Sequence, residues 1–495
     1  MGPLGEQRVT GLGLRTFDYR LVTVKQDSRA LGTSFGSLVC LTSSRALRAV
    51  ILAPVVVLLA IGSDTRLSLP AIPQAVTSEG VSRVGADAWH NAGFRGDGVK
   101  VAVVDEGFGG WRQRQEEGNL PSTVITRTFR ADGAFESSEH GTAAAEVVHD
   151  IVPNARLYLV TYYDEAELGN AVDWLIGQGV QIISFSLGYF NSAGPADGSG
   201  TVNEIVARAR NAGILWVTAA GDQARRHWEG AFNDPDGNGY HNLTGSAERN
   251  YVSLDPAGRQ GARQLYAVLS WDDWPASSLD FGLLLFRSGT SLPVHSGARG
   301  AGGAPFVWLY YSPTLAGLYE LAIRKGDDDV ITRTVHLELY TRDNDLSYSS
   351  APSSLMIPAD SPNALTVGAV SHDGDSIEPF SSQGPTDSPF PSYPPPRTKP
   401  DIVAPDNVST ATYGPGLFSG TSAAAAHVAG AAALVLSKYP SYTPAQVQGY
   451  LEAQAEDLGL RGKDNQSGAG MLQLDSPPTL RVALPVVINS YVAGW

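Results

Sequence analysis

The chain has 495 residues, of which 43% are hydrophobic, so it can form a large core and a smaller additional domain. Its formal net charge of -15 argues against nucleic acid or an anionic membrane surface as a partner. Cys40 is the only cysteine, which excludes disulfides within the chain. Stability must therefore come from packing, with bound cations as an additional source.

A secretion signal is predicted near the N-terminus. Two arginines precede the apolar segment 49–61, which is too short to span a bilayer in the usual way. A small-residue cleavage site follows at Gly62. The alternative is an uncleaved anchor, which Pro54 disfavours. We assign residues 1–62 to an N-terminal extension with a signal-like segment, and we expect bacterial-type export to the cell surface or the medium.

The first candidate catalytic residue follows an apolar run. Residues 99–104 read as a buried parallel strand that presents Asp105 at its carboxyl end. Catalytic groups and ligands gather at that edge of an open α/β sheet.

A predicted helix begins at His140, and the small residues that follow let it pack closely against the sheet. A single histidine in such a place is more often a structural residue, so this position alone decides nothing.

Apolar periodicity then predicts a parallel sheet. Apolar residues with helical spacing at 168–175 precede a short apolar strand at 180–184. The same order recurs, with helical spacing at 205–209 and a strand at 214–217. This alternation is typical of βαβ units. Near the end of the chain, Thr443 and Gln446 have the spacing of a capping box, which predicts a helix to about residue 455.

Between residues 229 and 348 the pattern changes to short alternating runs. Val335, Leu337 and Leu339 alternate with polar or aromatic residues, which is the period of a half-buried strand. We predict an inserted β-sandwich with strands at 265–271, 281–286, 306–311, 318–323 and 335–340.

A candidate metal site lies at the start of this insert. Asp234, Asp236 and Asn238 place oxygen atoms at alternate positions, and a glycine occupies the sixth, as a calcium loop requires. The twelfth position is Gly245 instead of glutamate, and a solvated turn explains the segment nearly as well.

The second half of the chain supplies a candidate nucleophile. Ser422 follows a glycine and a threonine at the head of a small-residue helix, where it is either exposed at the positive end of the helix dipole or part of an N-cap. Asp105, His140 and Ser422 follow one another as an orienting acid, a general base and a nucleophile.

With these motifs the chain resembles the subtilase (subtilisin-like) serine peptidases. Supporting segments occur in the family's order at residues 183–188, 213–221, 365–370, 380–385 and 399–405. The resemblance implies a subtilisin-like parallel sheet with helices on both faces, interrupted by the β-sandwich. The catalytic domain would comprise residues 63–228 and 349–475, with the insert at 229–348 and a tail at 476–495.

The resemblance also assigns a substrate-binding site. It implies that one wall of the S1 pocket is formed by Ser186, Leu187 and Gly188, and the other by Ala219, Ala220 and Gly221. Small residues there leave space for a large substrate side chain. Tyr189 stands where a small residue is usual, so the specificity stays open.

One departure from the family concerns the oxyanion. Asp222 replaces the usual asparagine, and an ionised carboxylate cannot donate a hydrogen bond. Protonating an ordinary aspartate costs roughly 4 kcal/mol at pH 7, about what one oxyanion donor contributes, but only roughly 1.5 kcal/mol at pH 5. We therefore expect a narrow activity optimum on the acid side.

These features predict a secreted serine endopeptidase. We expect a monomer that acts on proteins or peptides, requires no cofactor, binds structural calcium at most, and has neither nucleic acid partners nor a stable membrane span. Only about twenty residues separate Gly62 from the mature domain, so we expect folding without a long propeptide. The alternative is a catalytically weak protein with this fold that binds partners through its β-insert.

Overall fold

The computed structural model describes residues 75–259, 261–300, 303–387 and 395–475. Cys40, the signal-like segment, its cleavage site and the C-terminal tail lie outside these residues, so the expectations for them stay predictions. The expectation that the protein folds without a long propeptide also stays a prediction. Among the described residues, no helix has both the length and the apolar character needed to cross a membrane.

A seven-stranded sheet forms the centre of the fold, and all of its neighbouring strands are parallel. Its strands are β1 (Lys100–Asp105), β2 (Ile125–Thr128), β3 (Arg156–Thr161), β4 (Ile182–Phe185), β5 (Leu215–Ala219), β15 (Ala364–Ser371) and β16 (Ile402–Asp406). Their spatial order is β16-β15-β5-β4-β1-β3-β2. The apolar runs therefore become strands buried on both faces, as the sequence predicted.

Helices cover both faces of this sheet. They are α1 (Gly80–Arg83), α2 (Ala86–Asn91), α3 (Trp111–Glu116), α4 (His140–Ile151), α5 (Glu165–Gln178), α6 (Thr201–Asn211), α7 (Thr421–Lys438) and α8 (Pro444–Gln454). Alternate side chains of β1 point to opposite sides. Val101 and Val103 share a core with α4 and α7, whereas Ala102 and Val104 share one with α5 and α6. The predicted capping box at the start of α8 is present.

Two antiparallel sheets lie between β5 and β15 in the chain. Their strands are β6 (His227–Ala231), β7 (Asn250–Leu254), β8 (Leu265–Trp271), β9 (Phe281–Arg287), β10 (His295–Ser296), β11 (Ala298–Arg299), β12 (Phe306–Tyr311), β13 (Gly317–Lys325) and β14 (His336–Thr341). The sheet orders are β10-β9-β13-β7 and β11-β12-β8-β14-β6. Apolar residues from both sheets form one core, as expected for the predicted sandwich. A hairpin of β17 (Val408–Thr410) and β18 (Gly414–Phe418) precedes α7.

Candidate active site

Asp105 is the last residue of β1 and is fully buried. One carboxylate oxygen, Oδ1, accepts a hydrogen bond from the backbone N–H of Glu106 at 2.9 Å. The other oxygen, Oδ2, lies 2.9 Å from Nδ1 of His140. Burial raises the pKa of Asp105 against the opposing effect of His140, and the charge of Glu106 adds a smaller rise. The carboxylate is thus positioned to hold one nitrogen of the imidazole.

His140 is the first residue of α4, and its side chain stays 24% exposed. The close approach of this helix end to β1 requires the glycine that follows, because a Cβ at Gly141 would lie 2.7 Å from Cβ of Asp105. Burial alone would lower the pKa of His140, but the charges of Asp105, Glu106 and Asp222 outweigh it and raise that pKa to about 9.

Ser422 is the second residue of α7 and is half-buried, whereas both of its neighbours are buried. Its Oγ donates a hydrogen bond to the carbonyl oxygen of Ser186 at 3.0 Å, and the Ser186 hydroxyl donates in return to the Ser422 carbonyl at 3.0 Å. No hydrogen bond joins Ser422 and His140 within the described chain. The two residues nevertheless share one region, since the His140 ring packs edge-on against Phe418 just before α7, with ring centroids 5.9 Å apart.

Asp222 lies beside the first turn of α7. Its Oδ1 accepts hydrogen bonds from the backbone N–H of Thr421 at 3.0 Å and from the Thr421 hydroxyl at 2.9 Å. Among the described residues, Oδ2 has no hydrogen-bond partner. Burial raises the pKa of Asp222, and the hydrogen bonds from Thr421 and the charges of Arg226 and His140 oppose the rise.

The two segments assigned to substrate binding lie on either side of one side chain that the sequence did not single out. This side chain is Met356, which contacts the backbone at Gly188 and at Gly221. The nearby Tyr189 donates its hydroxyl to Tyr162 at 3.1 Å. The Met356 contacts join residues far apart in the chain, and no local motif signals them.

The predicted calcium loop has the hydrogen bonding of a turn. The carboxylate of Asp234 accepts from the backbone of Asn238 at 3.1 Å and of Gly239 at 3.0 Å. The amide of Asn238 donates to Asp236 at 3.0 Å and to Glu248 at 2.7 Å. Throughout the described ranges, no group of three or more His, Cys, Asp or Glu residues is arranged to hold a metal ion. The turn alternative accounts for the segment, and calcium binding there stays a prediction.

Comparison with known proteins identifies the family. The sequence model of the Subtilase family matches residues 96–252 and 343–470, which together make up more than half of the chain. The chain belongs to the subtilase family. The match resumes after a gap that contains most of the β-insert.

Curated subtilase relatives match a limited part of the chain. A thermostable alkaline protease from Halalkalibacterium halodurans is 31% identical over 157 residues, which cover 30% of this chain and 42% of the relative. Subtilisin E from Bacillus subtilis is 30% identical over 159 residues, which cover 29% of this chain and 39% of the relative. The matched region thus spans less than half the length of these relatives.

A solved structure supports the subtilase fold. The CspB protease of Clostridium perfringens superposes with a TM-score of 0.56 at 14% identity, and the superposition covers 80% of this chain and 98% of that one. At this level of identity the similarity concerns the fold alone.

Proposed function

We propose that this subtilase is a secreted serine endopeptidase that cleaves peptide bonds through an acyl-enzyme on Ser422. The proposal rests above all on the pairing of Asp105 with His140 at 2.9 Å, beside the helix start that carries Ser422. A serine at that position, with an oriented imidazole beside it, is the arrangement that acyl transfer needs.

The imidazole acts as the general base. Because Asp105 accepts the Nδ1–H of His140, the lone pair of the neutral ring is on Nε2, which faces the reaction. Ser422 Oγ turns from the Ser186 carbonyl toward this nitrogen by rotation about its Cα–Cβ bond. Catalytic hydrogen bonds are often long or misaligned in ligand-free enzymes and form in the substrate complex. His140 then returns the proton to the leaving amine.

Two donors face the developing oxyanion. The backbone N–H of Ser422 lies in the first turn of α7 and has no acceptor among the described residues, as is usual for the first N–H groups of a helix. The second donor is Asp222 in its protonated form. Because Thr421 donates twice to Oδ1, the proton belongs on Oδ2, and that O–H donates to the substrate oxygen.

Peptide substrates would bind between residues 186–188 and 219–221. The enzyme would act as a monomer on proteins or peptides, without a required cofactor and with structural calcium as an option. The chain's domain boundaries, 63–228, 229–348 and 349–475, are proposed on the same basis.

Labelling with a fluorophosphonate probe tests this function. The probe reacts with an activated serine, so we expect labelling of the parent and none of Ser422→Ala. Peptidase activity should fall by at least about three powers of ten, while the folded state persists because only one half-buried oxygen is lost. Ser437→Ala is the matched control, since it removes a hydroxyl from the far end of the same helix. Cleavage by Ser422→Ala at the parent rate would rule out the assignment.

A second candidate function has one observation in its favour. Because the Ser422 hydroxyl donates to the Ser186 carbonyl and not to His140, the site is poorly prepared for catalysis. The protein would then act as a binding module through its β-insert. Absence of labelling of the folded parent between pH 4 and pH 10 would support this alternative.

A further inference from the structure

The space between the two substrate-binding segments is filled by a side chain. A Cβ added at Gly188 would lie 2.7 Å from Cβ of Met356 and 3.2 Å from its Sδ and Cε. A Cβ added at Gly221 would lie 2.7 Å from Cγ and 3.2 Å from Sδ of Met356. The thioether therefore packs directly against the backbone of both walls. The sequence predicted that the small wall residues leave room for a large substrate side chain. Met356 occupies that room.

Hydrogen bonds on both sides hold Met356 in this position. Its backbone N–H donates to the carbonyl of Ala220 at 3.0 Å. The next residue, Ile357, exchanges two backbone hydrogen bonds with Tyr189, at 2.7 and 2.9 Å. In addition, the side-chain amide of Gln223 contacts Sδ at 3.7 Å. These backbone bonds fix the main chain at Met356, and with it Cβ, between Ala220 and Tyr189.

We propose that Met356 forms the floor of the S1 pocket and restricts the P1 residue, on the N-terminal side of the cleaved bond, to small side chains such as alanine. This inference rests on the proposed function and names its substrate class. Met356 is half-buried, so part of the residue is also exposed to solvent. A phenylalanine at P1 would need the volume that the thioether fills, and close-packed sites resist such overpacking.

The test is a set of tetrapeptide p-nitroanilides that differ only at P1. We expect the parent to cleave the alanine substrate with a kcat/KM at least tenfold above that of the phenylalanine substrate. Met356→Ala should open the pocket and raise kcat/KM for phenylalanine at least tenfold, since a few methylene groups in an apolar pocket discriminate at this level. Met356→Leu is the matched control, because it keeps the volume and should keep the preference for alanine.

Binding supplies a readout that does not depend on turnover. The same peptides, ending in a free carboxylate at P1, can be titrated into Ser422→Ala and into Ser422→Ala/Met356→Ala by calorimetry. We expect the second substitution to strengthen binding of the phenylalanine peptide relative to the alanine peptide. Equal selectivity in the two proteins would overturn the role of Met356, as would a parent that cleaves both substrates equally well. If Ser422 is not labelled by fluorophosphonate but the shift in binding occurs, the proposed catalysis fails and the pocket assignment holds.

Discussion

Asp222 has a carboxyl oxygen where the family's usual asparagine has an amide nitrogen. This one atom determines how the site should respond to pH. The proposed mechanism requires Asp222 to be protonated and His140 to be neutral. The pKa of His140 is raised to about 9, and burial also raises that of Asp222 from 3.8. Over the pH interval in which the pair holds one proton, the fraction of molecules with that proton on Asp222 does not change with pH. We therefore expect a bell-shaped profile with a flat top instead of the narrow acid optimum that the sequence suggested.

Asp222→Asn should change the pH profile of kcat/KM. The amide donates at every pH, and its oxygen can still accept the two hydrogen bonds from Thr421. We expect a gain of one to several powers of ten at pH 8, a much smaller gain at pH 5, and loss of the alkaline decline. Asp222→Ala, which carries neither charge nor donor, separates relief of repulsion from gain of a donor. If the Asn variant is no faster than the parent at pH 8 with KM intact, the carboxyl does not face the oxyanion.

At the scale of elements, the contact between α4 and α7 positions both His140 and Ser422. A Cβ at Gly430 would lie 2.6 Å from Cβ of Ile151, so the helices approach too closely for any larger residue. Gly430→Ala should therefore lower the free energy of unfolding by about 1–3 kcal/mol. Thermal or urea unfolding measures this change.

At Gly449, substitution by alanine should have the opposite effect on the free energy of unfolding. It lies on the exposed face of α8, and a Cβ there would meet nothing within 4 Å. Gly449→Ala should stabilise the protein by about 0.5–1 kcal/mol through helix propensity. If Gly430→Ala leaves stability unchanged or raises it, close packing of α7 on α4 is not what requires a glycine at position 430.

Sequence patterns predicted elements better than the contacts between them. The apolar run before Asp105, the helix start at His140 and the strand 306–311 depend on local spacing, and the structure has them where the sequence placed them. Met356 belongs to the site only because residues 186–188, 219–221 and 356 converge across a long insert. Such convergence depends on tertiary packing, for which a single sequence carries no periodic signal.

For the whole molecule, the junction between the β-insert and the parallel-sheet domain carries several carboxyl groups. Glu338 on β14 lies opposite Glu229 on β6. The buried amide of Asn191, from the loop after β4, donates to Glu338 and, at 3.5 Å, to Asp387. Burial raises the pKa of Glu338 to about 8 and that of Glu229 to about 7, and it raises the pKa of Asp387 well above its usual range. The junction therefore favours protonated carboxyl groups.

Stability should accordingly fall as pH rises. The pKa of Glu338 is near 4.5 in the unfolded chain and about 8 in the folded chain. Below pH 4 the carboxyl is protonated in both states and costs no free energy of folding. The cost grows as the pH rises to 8 and keeps its largest value above pH 8. Glu338→Gln is neutral at every pH, and its amide oxygen can still accept the hydrogen bond from Asn191. We expect it to raise the free energy of unfolding by at least about 1 kcal/mol more at pH 9 than at pH 5, after allowance for the partial exposure of the site.

Glu320→Gln, which removes the same charge from the other sheet of the insert, is the matched control in thermal unfolding at both pH values. An equal effect of Glu338→Gln at pH 5 and pH 9 would show that this carboxyl does not change protonation on folding.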